Sequence, residues 1–197
     1  MNDPLAFFGL TTTPLELVSF ALAVTTVLLN IRQNHWAWLF SIASSATYAV
    51  VFFDARLYGD SGLQLVFIAA SIWGWSQWLR GTSDTRLVVT RLGGAGWAWA
   101  IAGWGAAYLA LAWFLSNHTN TDVPHTDGFL TAGSLVGQLL LARKKVENWH
   151  VWLVVDVLYV GLYIYKDLHV TALLYAVFVV LAARGLRAWS NIAVAAR

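Results

Sequence analysis

The chain contains no cysteine, which excludes disulfide staples, thiolate metal sites and iron–sulfur clusters, and leaves the redox compartment undecided. It is also poor in charge. Of its 197 residues only 11% are charged and 59% are hydrophobic, whereas a soluble domain carries about 25% charged residues. So few charges cannot cover a globular surface of this size, so the surrounding solvent must be mostly lipid. Catalytic signatures are missing as well: there is no HExxH, phosphate-binding loop, GxSxG or glycine fingerprint, and no nucleophile paired with a base. The five histidines are dispersed, only His118 and His125 sharing a loop, so neither a metal site nor a cofactor is expected. Lys166 sits at a segment end, so no mid-helix lysine is available for a retinal Schiff base. An enzyme is not expected. The first fourteen residues lack a basic n-region and a small-residue cleavage site, and so do not read as a removable signal peptide.

What the chain does contain is a series of uncharged stretches, at 17–31, 36–53, 61–79, 92–121 (helical part 96–115), 128–142, 148–165 and 168–183. Asp156 is the single charge inside any of them. They are too long and too uniformly apolar for the ten-residue alternating strands of an outer-membrane barrel. In lipid, only helices satisfy their own backbone within one segment. The expectation is an all-α polytopic membrane bundle of seven transmembrane helices, filling 1–197 as a single transmembrane domain. The stretches at 17–31 and 128–142 have 15 residues each. At roughly 23 Å they are shorter than a typical hydrocarbon core, so flanking charges must snorkel or the bilayer must thin.

Basic residues set the orientation. With the N-terminus outside, the inner loops and tail hold Arg32, Arg80, Arg86, Arg91, Arg143, Lys144, Lys145, Arg184, Arg187 and Arg197, and the outer loops hold only Arg56 and Lys166. That bias predicts N-out and C-in, and it reads the net charge of +2 as a topology signal rather than a nucleic-acid surface.

A shift of 111 residues superposes the chain on itself without a gap. It places Trp38 on Trp149, Tyr48 on Tyr159, Leu57 on Leu168, Leu63 on Leu174, Phe67 on Phe178, Gly74 on Gly185 and Trp78 on Trp189. Two three-helix units can share an orientation only if one further helix joins them. The register therefore predicts 3+1+3 parallel repeats, with repeat one at 15–80, a linker helix at 92–116 and repeat two at 127–190. Transporters built from parallel repeats place their substrate near midplane between the repeats.

Asp156 is an acid at the depth where an ionisable group is costly, which makes it a functional-site hypothesis by default. The structural alternative is a carboxylate that only pairs with polar groups on a neighbouring helix. Its repeat mate is Ser45, so the halves differ chemically here. Trp149, Trp152 and Asp156 follow at spacings of three and four, one helix face. Aromatic rings beside a buried anion suit a flat, cationic ligand. Trp36, Trp38, Trp75, Trp78, Trp97, Trp99 and Trp189 fall near the inner face, and an interfacial belt accounts for most of them. Gln64, Gln138, Tyr48 and Tyr159 are either ligand contacts or interhelical glue, and Ser45 and Trp38, the repeat mates of Asp156 and Trp149, join them as candidate substrate-binding residues. Asn30 reads as a helix cap.

The stretch Glu147-Asn148-Trp149-His150-Val151-Trp152-Leu153-Val154-Val155-Asp156 resembles the Pnu-type vitamin transporters, best known through the PnuC branch of nicotinamide riboside transporters. Asn34-His35-Trp36-Ala37-Trp38, Leu57-Tyr58-Gly59-Asp60-Ser61-Gly62-Leu63-Gln64 and Trp73-Gly74-Trp75-Ser76-Gln77-Trp78 resemble them too. The likeness spans about 15–190. It implies a SWEET-like fold, a homotrimer and the bacterial inner membrane. It also implies facilitated diffusion of an unphosphorylated vitamin, trapped afterwards by a cytoplasmic vitamin kinase. By the same resemblance Trp149, Trp152 and Asp156 line the substrate site, with Gln64 and Gln138 contributing. Branches serve nicotinamide riboside, thiamine or riboflavin; the first two carry a fixed positive charge that Asp156 would match, which ranks riboflavin third. A reading of another class is a membrane vitamin sensor, coupled through the basic loop at 143–145.

Overall fold

A computed structural model describes residues 5–7, 10–12, 14–54, 58–80, 87–119, 121–165 and 169–195. Seven helices follow in order: α1 (Pro14–Ile31), α2 (Ala37–Asp54), α3 (Tyr58–Leu79), α4 (Gly94–His118), α5 (Pro124–Ala142), α6 (Asn148–Tyr165) and α7 (His169–Ala195). A two-stranded antiparallel hairpin, β1 (Leu5–Phe7) and β2 (Leu10–Thr12), precedes them, an addition to the all-α expectation. Arg56, Lys166, Arg86, Arg197 and the Leu57–Leu168 pair lie outside the described residues, as does much of the segment before α1.

The helices run somewhat past the uncharged stretches. The largest overrun is α7, which continues through Arg184 and Arg187 to Ala195. Both arginines are exposed, while Trp189 and Ala193 on the other face are buried. Charge therefore marks where an apolar stretch ends, and not where hydrogen bonding ends. Pro124 opens α5, where its missing N–H costs nothing and its fixed φ is already helical.

Sequential helices pack on one another from α1 to α3 and from α4 to α7, and α5 also packs on α3 and α1 on α7. The most enclosed helix is α5, buried along most of its length from Gly128 to Ala142. Its glycines explain why: Gly128 meets the α4 backbone at Ala112, Gly133 meets Trp104 and Val155, and Gly137 meets Trp152. Small residues let helices approach closely in lipid. By contrast, α4 buries only Ala112 among its described residues. Trp99 is 79% exposed, and Ile101, Leu109, Trp113 and Phe114 are exposed beside it. A helix presenting that face requires apolar surroundings.

Positions 111 apart make matching contacts. The Trp38 indole rests on Gly74 and that of Trp149 on Gly185. Trp38 meets Trp78 edge-on at 5.4 Å and 87°, and Trp149 meets Trp189 at 5.5 Å and 90°. Gln33 and Lys144 both turn through the left-handed region, at φ 55° and 49°. The turns around them close with matching bonds: Asn34 N to Leu29 O at 2.9 Å, and Lys145 N to Leu140 O at 2.9 Å.

Candidate functional site

On α6, Trp152, Asp156, Tyr159 and Tyr163 follow at spacings of four, three and four, so the helix carries them on one face. Asp156 is only 3% exposed. Among the described residues it makes no ion pair and no hydrogen bond through its side chain. A pairing of this carboxylate with a polar group on a neighbouring helix is not seen among the described residues.

Around this carboxylate the walls are tyrosines and hydroxyls. The Tyr159 hydroxyl faces Thr131 and Ser134 on α5. Its ring stacks on Tyr163 at 5.6 Å and 16°, and Tyr175 of α7 closes the triangle, 4.6 Å from Tyr159 and 5.2 Å from Tyr163. Asp156 and, across from α2, Tyr48 also act electrostatically on Tyr175. Predicted residues Asp156, Tyr159 and Tyr48 are thus brought into one neighbourhood.

Gln138 lies on the same buried helix as Ser134, one turn along. Its Nε2 donates to Ser71 Oγ at 3.1 Å, and Ser71 Oγ lies 2.9 Å from Ser41 Oγ. This chain ties α5 to α3 and α2, so Gln138 has the glue role at that end of its side chain. Ser45 is buried one turn along α2 from Ser41. Gln64, half-buried on α3, makes no hydrogen bond to the described residues. Trp152 is half-buried and fitted against Gly137, where a Cβ would stand 3.0 Å from its ring.

Two predicted ligand residues sit elsewhere. Trp149 is 2% exposed and Trp38 1% exposed, and each is spent on its glycine and its edge-on tryptophan. With Trp189 they form the centre of a buried apolar cluster. The belt expectation changes accordingly: Trp36, Trp97 and Trp99 are exposed, while Trp38 and Trp189 are wholly internal. Asn30 is buried near the end of α1, its Oδ1 without a partner and its side chain making no hydrogen bond to a helix carbonyl among the described residues.

Tyr163, Tyr175, Ser71, Thr131 and Ser134 were not singled out from the sequence. One signal for Tyr175 was present, because the 111-residue register places it on Gln64. The hydroxyls on α3 and α5 carried none, since serine and threonine are common in apolar helices.

Residues 13–191 match the family described as Nicotinamide mononucleotide transporter. The chain belongs to this family. It is a PnuC-like member, hence a membrane transporter and not an enzyme, and the sensor alternative gives way to that finding. Among its relatives is the riboflavin/roseoflavin transporter RibM of Streptomyces davaonensis, 28% identical over 179 residues, 88% of this chain and 83% of the relative. Another is the nicotinamide riboside transporter PnuC of Escherichia coli, 25% identical over 180 residues, 78% of this chain and 75% of the relative. A crystal structure of the vitamin B3 transporter PnuC shares the fold, with TM-score 0.74 at 20% identity, covering 89% of this chain and 80% of that one.

Proposed function

We propose that the protein carries a B-type vitamin across the bacterial inner membrane by alternating access, and that its substrate is nicotinamide riboside. The observation behind this choice is Asp156, buried beside packed tyrosine rings with no cation paired to it among the described residues. A buried carboxylate without a partner is strongly disfavoured, and a ligand with a fixed positive charge on a flat ring supplies both the missing charge and a stacking partner. Thiamine shares that chemistry. The site comprises Asp156, Trp152, Tyr159 and Tyr48, with Gln138, Gln64 and Ser45 along its polar margin; Trp149 and Trp38 hold the helices that frame it.

The 3+1+3 parallel-repeat, SWEET-like arrangement is part of this reading, supported by the matched contacts 111 residues apart. Basic side chains gather where α1, α3 and α5 end, which supports placing that end in the cytoplasm with the N-terminus outside. Transport is facilitated diffusion, and a cytoplasmic kinase traps the vitamin by phosphorylation. The homotrimer follows from the resemblance. The exposed face of α4 and the open groove of about 850 Å³ beside it, lined by Tyr108, Phe129 and Leu162, are surface available for such contacts.

The second reading is riboflavin, favoured by the similarity to RibM. A binding screen of the purified protein against nicotinamide riboside, thiamine and riboflavin separates the two, repeated with Asp156→Asn. The proposal expects nicotinamide riboside to bind and the substitution to weaken it by about tenfold or more, the size of one charge-assisted contact. Binding of riboflavin alone, indifferent to Asp156→Asn, overturns it.

A further inference from the structure

At the basic end the closest approach, tryptophan on glycine, lies within each half of the molecule, and one buried cluster spans the two halves. Trp38 on Gly74 joins α2 to α3, and Trp149 on Gly185 joins α6 to α7. Between the halves there, among the described residues, Trp78 lies 6.4 Å from Trp189 and 4.7 Å from Lys144 Nζ, Arg143 lies 5.8 Å from Trp73, and a set of hydrogen bonds joins the helix ends. The Trp78 indole N–H, near the end of α3, donates to Ala142 O at 3.2 Å and Leu141 O at 3.3 Å, at the end of α5. The Trp189 indole N–H, on α7, donates to Ile31 O at 3.1 Å, the end of α1. Donors and acceptors are both 111 residues apart, so each half reaches for the same backbone position of the other. Carbonyls in the last turn of a helix lack an intrahelical partner, which makes them the natural acceptors. Between the two bonds, Lys144 Nζ donates to Gln33 Oε1 at 3.3 Å, a contact between residues that are themselves 111 apart.

A strap from the α3–α4 connection covers this junction. Val89 is buried among Trp38, Trp189 and Ala142. Thr90 N–H donates to Lys144 O at 3.1 Å and Thr90 O accepts from Val146 N–H at 3.0 Å. Leu92 N–H donates to Glu147 Oε2 at 2.9 Å. Among the described residues the strap's hydrogen bonds go to the second half, and only the Val89 side chain reaches the cluster that holds Trp38 of the first.

Resting on the alternating-access reading, we propose that this reciprocal tryptophan clasp, plugged by Val89, is the inner gate of the transporter. It is shut in this structure. Rocking the halves apart breaks the indole N–H···O bonds and the Lys144–Gln33 contact, parts Trp78 from Trp189 and from Lys144 and Trp73 from Arg143, and withdraws one valine, while the tryptophan–glycine packing inside each half moves as a unit.

Because the chain has no native cysteine, a single introduced thiol reports on the gate without any vitamin. Ala182 is 1% exposed in the same buried cluster, nearly two turns before Trp189 on α7. In inside-out vesicles, Ala182→Cys should react slowly with a membrane-impermeant maleimide. Adding Trp78→Phe and Trp189→Phe, which keep the rings and remove only the N–H donors, should raise that rate about tenfold or more, as loss of two hydrogen bonds predicts. Should the triple variant not purify as a monodisperse species, Val89→Ala in the Ala182→Cys background should raise the rate too. Labelling that stays slow in whichever variant purifies overturns the proposal. The outcome is independent of the screen above: faster labelling in a protein that binds no tested vitamin keeps the gate and removes only the substrate reading.

Discussion

Trp149 rests so closely on Gly185 that a Cβ there would lie 2.6 Å from three atoms of its ring. The indole therefore occupies the space a side chain would need, and the α6–α7 pair depends on that vacancy. Gly185→Ala should lower stability by about 1–3 kcal/mol, the usual cost of overpacking, read as a lower melting temperature in detergent. Gly74→Ala should do the same through Trp38. Gly62→Ala, with nothing within 4 Å, should leave the melting temperature unchanged or slightly raised.

Gly137→Ala tests a different outcome at a similar glycine. Its Cβ would stand 3.0 Å from Trp152, a ring half-buried and free to shift by a few tenths of an ångström. Stability should change by less than about 1 kcal/mol, within the range for mild repacking, while vitamin affinity falls. A full loss of folding together with affinity would show that Trp152 is locked structurally.

The tyrosine wall gives a graded series. Tyr175→Phe keeps the ring that packs on Tyr159 and Tyr163, so affinity for a cationic vitamin should change by a few-fold at most. Tyr175→Ala removes the ring and should cost about 1–2 kcal/mol, or roughly tenfold in Kd. Equal losses in both variants, measured by calorimetry, would place the hydroxyl and not the ring in contact with ligand.

Glu147→Ala removes the acceptor for the Leu92 N–H. The strap should loosen without loss of the helices, so the Thr90 amide should exchange with deuterium faster while amides in the middle of α5 keep their protection. Unchanged exchange at Thr90 would mean that its backbone bonds to Lys144 and Val146 suffice to hold the strap.

Much of the helical architecture was legible because charge is scarce: where only 11% of residues are charged, each one marks an edge. The same rule misplaced the end of α7, since Arg184 and Arg187 need only one wet face while Trp189 keeps the opposite face inside. Asp156 was legible as a lone acid within an apolar stretch, and its side chain is buried. The roles of Trp38 and Trp149 were not. An aromatic residue near a span end reads as belt or ligand contact alike, and only the glycine it meets, 36 residues downstream on another helix, shows that it is mortar. The register at 111 held that information, pairing both glycines and both tryptophans, but a pattern of identities does not say which residues touch.

Asp156, Trp152, Tyr159, Thr131 and Ser134 all belong to α5 and α6, while α2 offers uncharged groups such as Tyr48 and Ser45. Under the proposed alternating-access mechanism, cargo gripped by the carboxylate would be a passenger of the second half throughout the stroke, and the first half would serve as a sliding wall that uncovers it on one side or the other. Altering which molecule is carried should then require changes to the second half, and altering how quickly it is delivered, changes to the first.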